Sequence, residues 1–313
     1  MKNIIRMINK IKSRILNHKT VHVFHKRASK IKVGERNIPL IVFLRILFKK
    51  LNNDDINVRA KSITYDFFLS IFPGIIFLFT LIPYIPIPDL DKNILSAISG
   101  FLPQNIYVSV ESTLTDIINI PRGGLLSFGF LFAFYAANNG IISVINTFNH
   151  CYKTTDDRSF IAKLGISISI LFLLFLVVVG GIVITWFLKL LYTNLENGFD
   201  VSSFQLYFVA FLRLFVMFFL IIMSISIMYF IAPSIHKRWK FFSLGSVTAS
   251  ILCFVFNLGF GFYIEHFNSY NKVYGSIGAL IGFLLLIFVN ILMLLVGFQI
   301  NASLELAHKN EIN

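Results

Sequence analysis

Few residues in this chain are of types that do chemistry, and those few stand in apolar surroundings. Asp66, Asn139, Asn146, His150, Arg213, Asn257, Asn290, Gln299 and Asn301 each interrupt runs of Leu, Ile, Val and Phe. A carboxylate, a guanidinium and several amides in such places have two uses. They can bond across helices, or they can line a path for a polar or charged solute. The patterns that mark hydrolases, metalloproteases and nucleotide-binding proteins (GxSxG, HExxH and the P-loop) are not in the sequence. Cys151 and Cys253 fall in no zinc-type spacing. One reads as lying near a helix end and the other inside a span, so a disulfide is not expected. His18, His22 and His25 lie in a basic arm and read as solvated surface. We therefore expect no catalytic residues, no metal and no cofactor, and a protein that is not an enzyme.

The elements that must position these groups follow from composition. Of 313 residues, 56% are hydrophobic and 14% charged, with a mean hydropathy of +0.77. A soluble domain carries about 25% charged residues. A chain this poor in polar surface cannot cover a water-facing globule, so lipid is its solvent. The fold class expected is all-α: a polytopic membrane protein of six transmembrane helices with interfacial amphipathic helices. A span needs about 20 mostly apolar residues. Six stretches qualify, near 63–85, 124–149, 161–191, 204–231, 241–265 and 274–304.

The net charge of +13 is read the same way. Basic residues collect beside spans on the cytoplasmic side, and this explains the balance better than nucleic acid, which is not an expected partner. Of 28 Lys and Arg, 23 fall on one side of the six spans. That places both termini in the cytoplasm. Residues 1–58 form a basic segment ahead of a transmembrane domain at 59–313. They do not read as a signal peptide, because their charge is spread along the whole arm. Ile4, Ile8, Ile11 and Ile15 share a helical face, which suits a helix lying on anionic inner-leaflet lipid. A solvated basic tail is the alternative. "PLIVFLRILFKKL" is too short to span and is expected at the interface too. The segment 86–122 should lie outside, with Ile106, Val110, Leu114, Ile117 and Ile118 on one amphipathic face.

Small residues mark where helices meet. Gly245, Ala249, Cys253, Asn257 and Gly261 recur every four residues, a slanted ridge that could seat a neighbour. Gly278 and Gly282 form a GxxxG, with Gly275 just before it. The last two spans should form a tight antiparallel hairpin across this seam. Among the polar groups, Asn139, Ser143, Asn146 and His150 share one face. By depth, Asp66, Asn146, His150, Gln299 and Asn301 group near the cytoplasmic end, with Asn139 and Asn290 nearer the middle. A polar cavity linking Asp66 with Asn139 and Asn290 is one expectation; Asp66 anchoring its helix at the interface is the other. Arg213 and Asn257 should share a depth near the opposite side. They pair across helices, or Arg213 binds an anionic group. Lipids are the expected partners; the sequence leaves a homo-oligomer open.

Longer strings carry a resemblance. "YFIAPSIHKRWKFFSLGSVTAS", "SYNKVYGSIGA" and "GFQINASL", with "RAKSITYDFFLSIFPGIIFLFTLI" and "GGLLSFGFLFAFYAANNGIISVINTFNHCYK" before them, resemble the YihY/virulence factor BrkB family of bacterial inner-membrane proteins. The likeness covers about residues 59–305. It implies six spans with both termini inside. Family members are described as transporters, with suggested links to envelope lipid export and serum resistance, and some carry the older label ribonuclease BN. The Asn-rich "YAANNGIISVINTFN" departs from the bulkier, more basic run usual in the family, so nothing about a ligand is carried over from it. The expected function is movement of an amphipathic or anionic envelope component across the inner membrane. The alternative is a structural or scaffold protein of the envelope.

Overall fold

The protein is described from a computed structural model of the chain. It describes residues 32–33, 38–85, 91–92, 94–96, 112, 114–118, 120–152, 154–198, 203–235, 239–266 and 276–312. The first 31 residues, the loop containing Gly275 and most of 86–119 lie outside these, so the arm helix and the Ile106–Val110 face are outside the described residues.

Seven helices carry the fold: α1 (Leu40–Asn53), α2 (Ile56–Leu81), α3 (Gly123–Tyr152), α4 (Phe160–Gly198), α5 (Ser203–Ile231), α6 (Leu244–His266) and α7 (Ser276–Ile312). A short antiparallel pair, β1 (Lys32–Val33) and β2 (Ile38–Pro39), precedes α1, with Val33 opposite Ile38. Among the described residues, six helices are long and apolar enough to cross a membrane: α2 to α7. They exist as helices for the reason given by composition. In hydrocarbon every backbone N–H and C=O must be satisfied within the segment, and a helix does this.

The spans pack as consecutive pairs, α2 on α3, α4 on α5 and α6 on α7. The last helix is the hub: α7 touches α1, α2, α3 and α6. The α2–α3 contact is close because Gly140 lies flat against the Phe67 ring, where an added Cβ would come within 3.2 Å of a ring carbon. At the end of the bundle nearest α1, an aromatic cluster fills the centre. Phe148 stacks on Phe298 with centroids 4.1 Å apart, and Tyr229 meets both edge-on. Such pairs add to the burial of large rings. The Tyr229 hydroxyl donates to the Leu294 carbonyl, so its polar tip is not left bare.

α1 is part of this bundle rather than part of a detached arm. Phe43 and Leu47 pack with Ile38, Ile300 and Ala307, while Arg45, Phe48 and Lys49 face outward. A division at residue 58 therefore does not mark a boundary of packing. α1 turns into α2 through Asp54 and Asp55. Asp55 is left-handed (φ 48°), a conformation that Asp tolerates better than most residues. α2 runs on through Pro73, which is buried inside it. In the segment between α2 and α3, residues 114–118 are helical with Ile118 buried, and Arg122 pairs with Asp116.

The α6–α7 seam is the tightest. A Cβ added at Gly297 would lie 2.5 Å from Ala249 Cβ and 2.6 Å from both the Gly245 carbonyl oxygen and the Tyr229 hydroxyl. One added at Gly245 would overlap the Gly297 carbonyl oxygen. The slanted ridge is thus real at Gly245, Ala249, Cys253 and Asn257, but it ends before Gly261. Gly261 is exposed, with nothing within 4 Å of an added Cβ. The reason is geometric. Each four-residue step drifts about 40°, so four steps carry the ridge roughly 160° around the helix. Gly278 is buried, and Gly282 makes ordinary contact with Phe260 at 3.8 Å. Sequence inspection missed Gly297, the residue that faces Gly245. We expect Gly245→Ala to cost about 1–3 kcal/mol, the scale of core overpacking, and Gly261→Ala to stay within about 0.5 kcal/mol, as at an open surface. Thermal unfolding in detergent checks both; equal effects would contradict the seam.

Candidate functional site

The polar residues flagged by the sequence separate into distinct local partnerships. Asp66 on α2 is half-buried and accepts a hydrogen bond from Ser143 Oγ on α3 at 2.5 Å. Gln299 is fully buried on α7 and donates Nε2–H to Asp54 Oδ2 at 2.7 Å. Asn301 reaches α6: its Oδ1 accepts from the Gly245 N–H at 2.7 Å, and its Nδ2 donates to Ser243 Oγ at 2.7 Å. Asn257 and Asn290 bond to each other amide to amide, at 2.9 and 3.2 Å, across the α6–α7 seam.

Three expectations need correction. Asn146 and His150 are exposed, and Asn139 is only half-buried. The inward face of α3 is instead Asn138, Ile141, Val144, Ile145, Phe148 and Asn149. Ser167 of α4 donates to Asn138. The face carrying Asn139 and Ser143 turns toward α2, which covers it at Ser143 and leaves it open by Asn146. Arg213 does not meet Asn257: it is exposed on α5, and no described residue holds it, while Asn257 is committed to Asn290. Finally, Asn290 lines a cavity that Asp66 and Asn139 do not reach.

What lies among the spans is an apolar cavity of about 720 Å³. Phe67 of α2, Leu174 of α4, Ile221 of α5, Cys253 of α6, and Asn290 and Leu294 of α7 line it, so every pair of spans contributes. Gly181 and Leu220 bring α4 against α5 at its edge, where an added Cβ on Gly181 would sit 2.5 Å from a Leu220 methyl. Apart from the indole N–H of the exposed Trp186, the polar groups in the wall donate within the protein. Thr185 donates to the Gly181 carbonyl and Ser224 to the Leu220 carbonyl, each at 2.8 Å. Cys253 Sγ lies 3.8 Å from the Asn290 carbonyl, and Asn290 also donates to the Leu286 carbonyl at 2.8 Å. The cavity therefore presents hydrocarbon. No pattern in the sequence announces it, because Leu, Val and Ile face it just as they face lipid.

A second polar group of residues closes the end of the bundle nearest α1. Lys50, 7% exposed, donates to the Cys151 carbonyl at 2.6 Å. Asn149 accepts from the Ser234 N–H at 2.7 Å and donates to Asp156 at 2.8 Å. Asp156 is gripped by Arg158, which also donates to the Ala232 carbonyl at 3.1 Å. The hydrogen bonds from Arg158 hold the Asp156 carboxyl below its ordinary range. Among the described residues, no three His, Cys, Asp or Glu side chains converge as a metal site would require.

The sequence matches the Virulence factor BrkB family across residues 47–313. The chain belongs to that family. Similar BrkB-type proteins include a ribonuclease-like protein, YfkH, of Bacillus subtilis (strain 168), 29% identical over 84% of this chain and 95% of its own length. Another is a UPF0761 membrane protein of Vibrio campbellii (strain ATCC BAA-1116), 25% identical over 84% of this chain and 82% of its own. No solved structure matches the chain. The match begins at Leu47, inside α1, so the BrkB family region takes in the end of that helix along with all six spans.

The Asn257–Asn290 pair is expected to couple. Asn257→Leu and Asn290→Leu should each destabilise the protein, and the double substitution should cost less than their sum by about 0.5–1.7 kcal/mol, the range for interhelical side-chain bonds in a membrane. A double-mutant cycle on thermal stability measures this; additive effects would show the pair to be incidental.

Proposed function

We propose that this integral membrane protein moves an amphipathic, anionic component of the bacterial envelope across the inner membrane, and that it does so without catalysing a covalent reaction. The observation that carries the reading is the 720 Å³ apolar cavity, open at its side, to which all three pairs of spans contribute. The volume falls in the range of small-molecule sites. The charge distribution supports an orientation with both termini in the cytoplasm, in which the exposed Arg45 and Lys49 of α1 would meet anionic inner-leaflet lipid.

A structural role in the envelope is the second reading, and one observation favours it. Asp66, Asn257, Asn290, Gln299 and Asn301 are all engaged in bonds between elements, so they need no substrate to account for them. The two readings part on movement. In proteoliposomes containing a fluorescent anionic phospholipid, the wild-type protein is expected to speed transbilayer movement at least tenfold over empty liposomes. Ile221→Trp, which fills the cavity, should bring the rate back to background while the protein still melts cooperatively. Movement that is unchanged by filling the cavity, or no movement by the wild type with either leaflet labelled, would favour the structural role.

A further inference from the structure

We propose that the cavity holds one hydrocarbon chain of an anionic lipid whose headgroup sits at Arg213. The site is the one used in the transport reading, but the inference concerns occupancy, not movement.

The mouth opens sideways. Val178, Ile182 and Trp186 line the cavity and are each more than half exposed, on a span whose exposed face is mostly Phe, Val, Ile and Leu. The cavity is thus continuous with the surface that lipid covers, not with either aqueous end. Water is a poor occupant. The volume equals the liquid share of about two dozen waters at ~30 Å³ each, and apolar cavities stay dry unless polar partners are present. Here the hydroxyls of Thr185 and Ser224 and the amide of Asn290 are bound within the protein. The same commitments leave a headgroup no donor among these groups, and the other donor in the wall, the Trp186 indole N–H, belongs to an exposed side chain at the rim. A chain needs none. Leu174 and Trp186 mark the cavity's extent along α4, about 18 Å of helix axis, close to one leaflet of a ~30 Å hydrocarbon core.

The headgroup follows from register. The contact of Gly181 with Leu220 fixes α4 against α5, which run in opposite directions. Arg213 lies seven residues before Leu220, two helical turns, so it falls on the same side of α5 and about 10 Å further along. That level is just past Trp186, at the cavity's rim. Arg213 is exposed there, and no described residue holds its guanidinium. A cation at the edge of a lipid-facing span extends toward headgroup phosphate, with which a guanidinium forms paired hydrogen bonds. Chain below and phosphate above are the two ends of one lipid.

The test is lipid retention by the purified full-length protein in detergent, read by native mass spectrometry with phosphatidylglycerol and phosphatidylcholine as probes. It is paired with photo-crosslinking by a phosphatidylglycerol bearing a diazirine in mid-chain. The wild type should retain one phosphatidylglycerol, and the chain probe should label α4 within 174–186 and α5 within 220–228. Arg213→Gln should weaken phosphatidylglycerol retention about tenfold and leave phosphatidylcholine unchanged. Ile221→Trp should abolish chain labelling. Leu174→Phe, which adds less bulk, serves in its place if the first variant loses its cooperative melt. Labels confined to outward residues such as Phe172 and Phe175 would overturn the site, as would an Arg213→Gln effect equal on both lipids. Retention without transbilayer movement would uphold this inference and remove the transport reading; movement without chain labelling would do the reverse.

Discussion

Where a helix ends inside or beside a membrane, its last carbonyls and first N–H groups lose their partners, and there is little water to replace them. Much of this structure is an answer to that constraint. The carbonyl of Cys151, one residue from the end of α3, takes the Lys50 ammonium. The carbonyl of Ala232, just past α5, takes Arg158. The N–H of Gly245 in the first turn of α6 is received by Asn301 of α7, while Ser243 caps the same turn from within by accepting the Ser246 N–H at 3.2 Å. The N–H of Ser234, beyond α5, goes to Asn149. In each of the four contacts between elements the cap comes from a different element, so satisfying a helix end also fixes how two elements meet. Side-chain oxygens obey the rule less strictly: Ser226 Oγ, Gln299 Oε1 and Ser303 Oγ are buried without a partner among the described residues.

This explains which parts could be read from the sequence. Spans are legible because length and hydropathy are local properties, and six were expected where six are found. The end of α6 that meets α7 was legible as a ridge of small residues, but its extent was not. The partner glycine, Gly297, lies about 50 residues away and belongs to no repeat with Gly245. Gln299 and Asn301, singled out as polar groups within the last span, are both buried. Asn146 and His150 were misplaced because a polar face on an isolated helix does not say whether a neighbour extends far enough to cover it. Lys50 fell within the stretch expected at the interface and Asp54 drew no expectation, yet both are buried; nothing local reveals that Asp54 meets Gln299, 245 residues away.

The cavity was illegible for a different reason. It is built from residues that would be just as suitable facing lipid, and it exists because α4 and α5 lean on each other at Gly181 while α6 and α7 are locked at Gly245. Two close contacts at separate places leave a gap between the pairs. The fold thus combines an end in which polar groups join every helix, Ser167 of α4 and Tyr229 of α5 included, with a stretch of the α4–α5 pair that borders open space.

The central claim, that caps from other elements hold the helix ends in register, is tested most directly at Asn301. Amide hydrogen exchange is measured in detergent for the wild type and for Asn301→Ala. Loss of a capping acceptor costs about 1–2 kcal/mol, so exchange in the first turn of α6, residues 244–247, should quicken by roughly 5–30-fold. The middle of α2 should keep its protection. Unchanged exchange at Gly245, or a uniform rise across all spans, would contradict the account.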